Sequence, residues 1–353
     1  MKCESSNTQQ NEHSFIPHNQ LTLGKEEENA ALAVIRSGWL AKGIEVDKFE
    51  AEFCDFLGLP IGHAVAVSSG TAALYLALWS LNAQNKFIAI PSYVCSALKN
   101  SIAMANGNEI IIDSKNENPN INLNLLENAQ ADLAIIPHLY GIPQPITNLP
   151  NKINIIEDCA QALGSKVNNV HAGLQGDIGI FSFYATKLIT SGGQGGMIVS
   201  QNKAVINQIK DYLLFDKRED QKYRFNFQMT DIQAAIGRVQ LRKLPHLIER
   251  REEIFQRYKR AGLSLLDAPS GTTPVRYRAI VVSEKQLEVI QALKKKNINA
   301  VIPLKASELS GATDQLSHAF SWTQKTISLP IYPTLTNDEV DKISEIVIKA
   351  LSI

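Results

Sequence analysis

Between Ala64 and Val199 the chain repeatedly sets a short apolar run after a turn or a helix-like stretch, and this rhythm narrows the possible folds more than any other feature. The runs are Ala64–Val67, Phe87–Ile90, Ile110–Ile112, Leu133–Ile136, Ile153–Ile156, Ile178–Phe183 and Met197–Val199. They are too short for helices and continuously apolar rather than alternating, which is how strands covered on both faces read. Helical patterns fall between some of them, at 72–81 and 94–106. Parallel neighbours need such crossovers, because a tight hairpin can join only antiparallel strands. The pattern predicts an α/β fold, with a mostly parallel central sheet and helices on both faces.

The flanks are different. Residues 1–20, rich in Asn, Gln, Ser and Glu, read as a flexible N-terminal arm. Lys25–Ser37 has helical spacing and a glycine, Gly38, suited to a C-cap. A second helix covers about 46–57 and stops at Gly58. After Lys203 the alternation ends. Thr230 to about Ala261 reads as one long helix, with Pro245 a place to break it. A strand at Ala279–Val282, a helix at Glu284–Lys296 and a last helix at Asn337–Leu351 suggest a smaller C-terminal α+β domain. The expected division is an arm at 1–20, a large domain at 21–240 and a small one at 241–353.

Composition excludes several roles. Lys+Arg and Asp+Glu are both 35, so no net field draws nucleic acid or an anionic membrane to the chain. Four cysteines (Cys3, Cys54, Cys95, Cys159) form no CxxC pair and fit reduced thiols better than a disulfide framework or zinc site. The seven histidines show no metal-ligand spacing, and His138 is the one expected to line a cleft. The first residues lack the apolar core of a signal peptide, and no apolar run approaches the ~20 residues that span a bilayer. A cytoplasmic protein without metal, membrane or nucleic-acid partners is expected.

Three segments can carry chemistry. Ser68-Ser-Gly-Thr71 follows a strand and opens a helix, where free N–H groups and the helix dipole make an anion site. Gly70 allows close backbone approach, and the Ser69 and Thr71 hydroxyls can donate to phosphate oxygens. The same residues also read as an ordinary N-cap. Asp158 ends an apolar strand, where ligand crevices form in parallel sheets, and a carboxylate buried there needs a cationic partner. In isolation, Glu-Asp at a strand end is more often a helix N-cap. Lys187 stands between an apolar strand and the glycine-rich Ser191-Gly-Gly-Gln-Gly-Gly196, placed to enter a cleft, although most lysines simply lie on the surface. Phosphate cradle, strand-end carboxylate and lysine, in this order, form a pyridoxal phosphate (PLP) site in one large class of enzymes. The carboxylate's partner is then a protonated pyridine nitrogen, an arrangement that keeps the ring an electron sink.

Together these segments resemble the DegT/StrS family of PLP-dependent nucleotide-sugar aminotransferases, of fold type I (aspartate aminotransferase-like). Ser37-Gly-Trp-Leu40, Pro137-His-Leu-Tyr-Gly141 and Phe225-Asn-Phe-Gln-Met229 extend the match over most of residues 20–260. The resemblance implies Lys187 as Schiff-base lysine, Asp158 at the pyridine nitrogen and Gln161 near the ring oxygen. It implies Ser69, Gly70, Thr71 and Ser182 at the phosphate, with Asn226 supplied by the other subunit, and hence a homodimer with shared sites. It implies an amino donor, glutamate by family habit, and a keto-sugar acceptor linked to a nucleotide. The chain departs from the family in four places. Cys95 stands where an aromatic residue usually stacks on the cofactor, leaving Tyr93 as the substitute. Gln194 replaces an acid, Gln228 replaces an arginine, and the family's His-Tyr element is missing from Ala300–Lys305. Two rival functions are a PLP-dependent sugar dehydratase, which Lys187 opposes because such enzymes often carry histidine there, and a PLP-binding regulatory or scaffolding protein.

Overall fold

The computed structural model describes residues 15–146, 149, 153–311 and 316–352. Helix α1 (Lys25–Ser37) ends as expected, with Gly38 at φ 74° and its N–H bonded to the Ile35 carbonyl. Glycine reaches this left-handed conformation with little strain. Helix α2 (Ile44–Leu57) begins earlier than its apolar pattern suggests. The reason is a cap from far along the chain. The buried carboxylate of Asp231 accepts from the backbone N–H groups of Gly43, Glu45 and Val46, at 2.8, 3.3 and 3.1 Å.

The next elements are β1 (Ala64–Val67), α3 (Gly70–Ser80), β2 (Phe87–Pro91), α4 (Ala97–Met104), β3 (Asn108–Ile112), α5 (Leu123–Glu127), β4 (Leu133–Pro137) and β5 (Asn154–Asp158). Two short strands, β6 (Lys166–Val167) and β7 (Val170–His171), precede β8 (Ile178–Ser182), β9 (Gly196–Val199) and α6 (Lys203–Leu213). Seven strands form one sheet in the order β1-β9-β8-β5-β4-β2-β3. It is mostly parallel, as the apolar runs require; β9 runs against both of its neighbours. On one face Val65, Ile88, Ile90 and Ile135 pack with Leu74, Leu78, Leu98, Ile206 and Ile209 from α3, α4 and α6. On the other, Ala64, Ala66, Phe181 and Met197 pack with Phe49 and Phe53 of α2. Each fully buried Leu, Ile or Phe contributes roughly 1.5–3 kcal/mol, so the sheet is held from both sides.

Helix α7 (Asp231–Arg260) runs for 30 residues, about 45 Å at the usual rise. Pro245 sits inside it without ending it. Leu241, Leu244 and Leu247 belong to the core beneath the sheet, whereas Ile254, Phe255 and Tyr258 belong to the C-terminal core. Residue 240, the expected boundary, therefore falls within a helix that both cores hold. The C-terminal core surrounds the antiparallel pair β11 (Ala279–Val282) and β12 (Thr326–Leu329), packed by α8 (Gln286–Lys294) and α10 (Asn337–Ser352). Strand β10 (Thr272–Thr273) joins β6 and β7, and α9 (Ser317–Lys325) leads into β12. Of the expected arm, residues 1–14 lie outside the described residues. Ile16 is 2% exposed, bridges to Ile298 and packs into the C-terminal core.

Candidate active site

Strands β1, β2, β5 and β8 all point the same way, and the singled-out residues follow or occupy their C-terminal ends. That edge is where parallel sheets open a ligand crevice. Ser69 is the N-cap of α3: its Oγ accepts from Ala72 N at 3.1 Å, and its own O–H stays available to donate. Gly70 meets the end of β8. A Cβ built on it would lie 2.8 Å from Ser182 Cβ and 3.0 Å from Ser182 Oγ. Only glycine lets these two segments close into one cradle of N–H and O–H donors. Thr71 is exposed beside it.

Asp158 is 7% exposed at the end of β5. Its Oδ1 accepts from Ala160 N at 2.9 Å, so the cap reading holds for one oxygen. Among the described residues Oδ2 has no hydrogen bond. Burial raises the carboxyl's pKa above its ordinary value, against the pull of the Ala160 bond and the nearby Lys187 charge. Cys95 belongs to the same group. It is solvent-accessible, yet packing around it raises its thiol pKa, the nearby Asp158 carboxylate adds to the shift, and the Lys187 charge is also felt there. Lys187 is half-buried, makes no ion pair among the described residues, and sits 5.7 Å from the centroid of the Tyr277 ring.

Gln161 is oriented by its amide oxygen, which accepts from Tyr140 N at 2.8 Å and leaves the NH2 group free to donate. Asn226 is exposed. Its Oδ1 accepts from Gln228 N at 3.1 Å, and Phe227 O accepts from Ser68 N at 2.8 Å, so this segment lies along the end of β1. Gln228 donates to the Leu213 carbonyl at 2.9 Å.

Two expectations need correction. Tyr93 cannot replace the stacking aromatic: it is 2% exposed, and its hydroxyl bonds Tyr140 at 2.8 Å and Thr326 at 3.2 Å, in the packing beneath α9. His138 does not line the cleft. It is 1% exposed, its Nδ1 accepts from Gln144 N at 3.0 Å, and its Nε2 therefore carries the proton donated to Glu157 at 2.9 Å. His138, Glu157 and Cys159 bring potential ligand atoms within 4.8 Å of one another. Glu157, however, already accepts from Gly173, Gln175 and Gly176 as well. Burial pushes this carboxyl upward, but the His138 bond and the backbone donors outweigh it and leave its pKa below the ordinary value. With both ring nitrogens and both carboxylate oxygens occupied, the trio is a hydrogen-bonded core that fixes the loop after β7.

Sequence reading missed the contribution of the N-terminal segment. Asn19 donates to the Thr186 carbonyl at 3.2 Å, next to Lys187, and His18 Nε2 lies 2.9 Å from Ser328 Oγ and 3.3 Å from Arg278. Nothing periodic marks these residues, and their partners lie far along the chain. Burial, then the charge of Arg278, pushes the His18 pKa down to about 3. As pH falls below about 6.5 the unfolded chain takes up a proton that folded His18 refuses, so this residue withdraws stability toward acid. The loss amounts to as much as about 2 kcal/mol at pH 5. His18→Gln is expected to melt below the wild type at pH 7.5, with the gap closing or reversing by pH 5; parallel melting curves across that range would exclude the role.

The profile of the DegT/DnrJ/EryC1/StrS aminotransferase family matches residues 21–348. The chain belongs to this family. It is a PLP-dependent sugar-aminotransferase relative, and the cradle, the buried Asp158 and the free Lys187 fit that cofactor. A GDP-perosamine synthase of Escherichia coli O157:H7 is 30% identical over 94% of this aminotransferase and 97% of its own length. An uncharacterized protein of Methanocaldococcus jannaschii is 31% identical over 96% and 98%. Among solved structures, the aminotransferase TlmJ from Streptoalloteichus hindustanus superposes with a TM-score of 0.87 at 25% identity, covering 96% of this chain and 99% of that one.

Proposed function

We propose that this aminotransferase moves an amino group from glutamate to a keto-sugar carried on a nucleotide, with Lys187 as the residue that holds PLP and moves the proton. The observation that carries the reading is the placement of Asp158 and Ser182 at the C-terminal ends of the neighbouring strands β5 and β8, with Gly70 packed against Ser182 and Lys187 five residues beyond it. Bound PLP supplies the electron sink for charge that develops at the substrate carbon. Ser69, Thr71 and Ser182 would hold its phosphate, Asp158 would keep its ring nitrogen protonated, and the free Gln161 amide would donate to its ring oxygen. The Lys187 amine, which makes no ion pair among the described residues, would take a proton from the substrate carbon as general base and deliver it to the cofactor's C4′ as general acid. The nucleotide-linked acceptor is supported by the name of the perosamine-synthesising relative. Conversion of a nucleotide-linked keto-sugar to its amine, read by mass spectrometry with glutamate as donor, tests the reading. Absence of product across a panel of such ketones, from PLP-loaded protein, would overturn it.

We also propose a homodimer whose sites are shared through Asn226. Its Nδ2 is unpartnered among the described residues, and the neighbouring Tyr223 and Phe225 are 98% and 58% exposed, as is usual for surfaces that meet a second copy. If each site takes Lys187 from one subunit and Asn226 from the other, a heterodimer of Lys187→Ala and Asn226→Ala chains has one undamaged site. Co-expression of the two weakened variants should restore about a quarter of wild-type activity. Demonstrated heterodimers without recovery would exclude sharing. A cytoplasmic location fits the free thiols of Cys54, Cys95 and Cys159. Among the described residues no helix is long and apolar enough to cross a membrane.

A further inference from the structure

Arg278, just before β11, is a half-buried guanidinium without an acid. Its Nη1 donates to Ser328 Oγ at 3.2 Å and to His18 Nε2 at 3.3 Å, and its Cζ lies 5.5 Å from the Tyr277 ring centroid. Among the described residues no carboxylate pairs with it. Arg276 pairs with Glu252 and Asp267 and Arg238 with Glu45 and Glu52; Arg251, fully buried, also lacks an acid among the described residues and donates to the Ile331 carbonyl, but no cavity lies open in front of it. A partly desolvated guanidinium that keeps its remaining N–H groups unpaired is ready for an anion from outside the chain.

A small cavity lies in front of it. About 130 Å³, partly open to solvent, is lined by His18, Asn19, Thr186, Tyr277, Arg278 and Ile331. Thr186 precedes Lys187, and the Lys187 amine faces the same Tyr277 ring from 5.7 Å. The two cations are therefore at most about 11 Å apart. The space is equivalent to roughly four water molecules and is well below the roughly 300 Å³ at which drug-sized pockets begin. Its size suits a carboxylate on a few carbons.

We infer that Arg278 binds a carboxylate of the amino donor, holding the amino acid in this cavity with its nitrogen toward Lys187. The inference rests on the proposed aminotransferase reading and deepens it. Asn19 and Tyr277 position the wall by donating to the Thr186 carbonyl, at 3.2 Å each. His18 accepts from the guanidinium and turns its fork.

The test is a binding measurement that needs no turnover. PLP-loaded wild type, Arg278→Gln and Arg278→Lys are titrated calorimetrically with 2-oxoglutarate and, separately, with UDP and GDP. Arg278→Gln should weaken 2-oxoglutarate binding by about 30-fold, as loss of a charge-assisted bidentate contact implies, and Arg278→Lys should recover part of it. Nucleotide affinity should not change. In the PLP protein the glutamate concentration needed to bleach the long-wavelength absorbance should rise by a similar factor, whereas bleaching by an amine without a carboxylate should not. Equal 2-oxoglutarate affinity in wild type and Arg278→Gln, no binding to wild type at millimolar concentration, or a loss confined to the nucleotides would overturn the inference. If Arg278→Gln fails to fold, Arg278→Lys decides, since a full wild-type affinity for 2-oxoglutarate excludes a bidentate fork. Arg278-dependent 2-oxoglutarate binding in a protein that aminates no sugar would instead sink the acceptor reading alone.

Discussion

Lys187→Ala is expected to lower turnover by at least about 10⁴-fold, the largest effect of any single change in this protein. The size follows from removing the residue that both carries the cofactor and moves the proton. The fold should not suffer, because the half-buried Lys187 side chain makes no ion pair or side-chain hydrogen bond among the described residues. Binding of PLP through the phosphate cradle should persist in a weaker, dialysable form. Borohydride treatment of the wild-type PLP protein, followed by peptide mapping, should leave the label on the peptide containing Lys187. A label on another lysine, or a variant within tenfold of wild-type rate, would remove Lys187 from the chemistry.

Asp158→Asn is expected to cost at least about 100-fold in kcat, on the scale of other losses of preorganised charge at a reacting centre. Asparagine keeps an oxygen for the Ala160 N–H, so the turn after β5 survives while the charge is lost. A second readout separates this role from capping. Burial raises the folded-state pKa of Asp158 above its ordinary value, so the cofactor-free fold binds its proton more tightly than the unfolded chain does. That contribution is present in acid and is lost as pH rises through the folded pKa, leaving a buried carboxylate held, among the described residues, by only the Ala160 N–H at neutral pH. Cofactor-free Asp158→Asn should therefore melt at or above the wild type at pH 7.5. A lower melting temperature together with a normal rate would make Asp158 a cap and nothing more.

The local readings that succeeded are those whose cause is local. Strands β1 and β11 and helix α1 begin and end where the apolar runs and a capping glycine put them. The positions of Ser69, Asp158 and Ser182 at strand ends were legible because strand ends in a parallel sheet converge on one edge; their role at a cofactor remains the proposal. What escaped depends on distant partners. The start of α2 is set by Asp231, Tyr93 is drawn away by Thr326, and His18 bonds a serine 310 residues away. Helix α9 and strand β12 were unread because Ser, Thr and Gln interrupt their apolar positions; buried Thr326 and Ser328 find partners in the Trp322 carbonyl and in His18 and Val301. Arg278 looks like any other charged residue until its lack of an acid is visible.

Helix α7 makes the two hydrophobic cores a single cooperative unit. Separating the C-terminal core would either pull Ile254, Phe255 and Tyr258 into water or melt the helix that Leu241, Leu244 and Leu247 anchor beneath the sheet. Either route exposes much of a hydrophobic core, so most amide protons along α7 are expected to exchange only through global unfolding, which native-state hydrogen exchange would check. Pro245 introduces one local weakness: it has no N–H to offer the Leu241 carbonyl, so the helix lacks one backbone bond in that turn. Chemistry at the sheet edge and order in the last third of the chain thus share one melting transition.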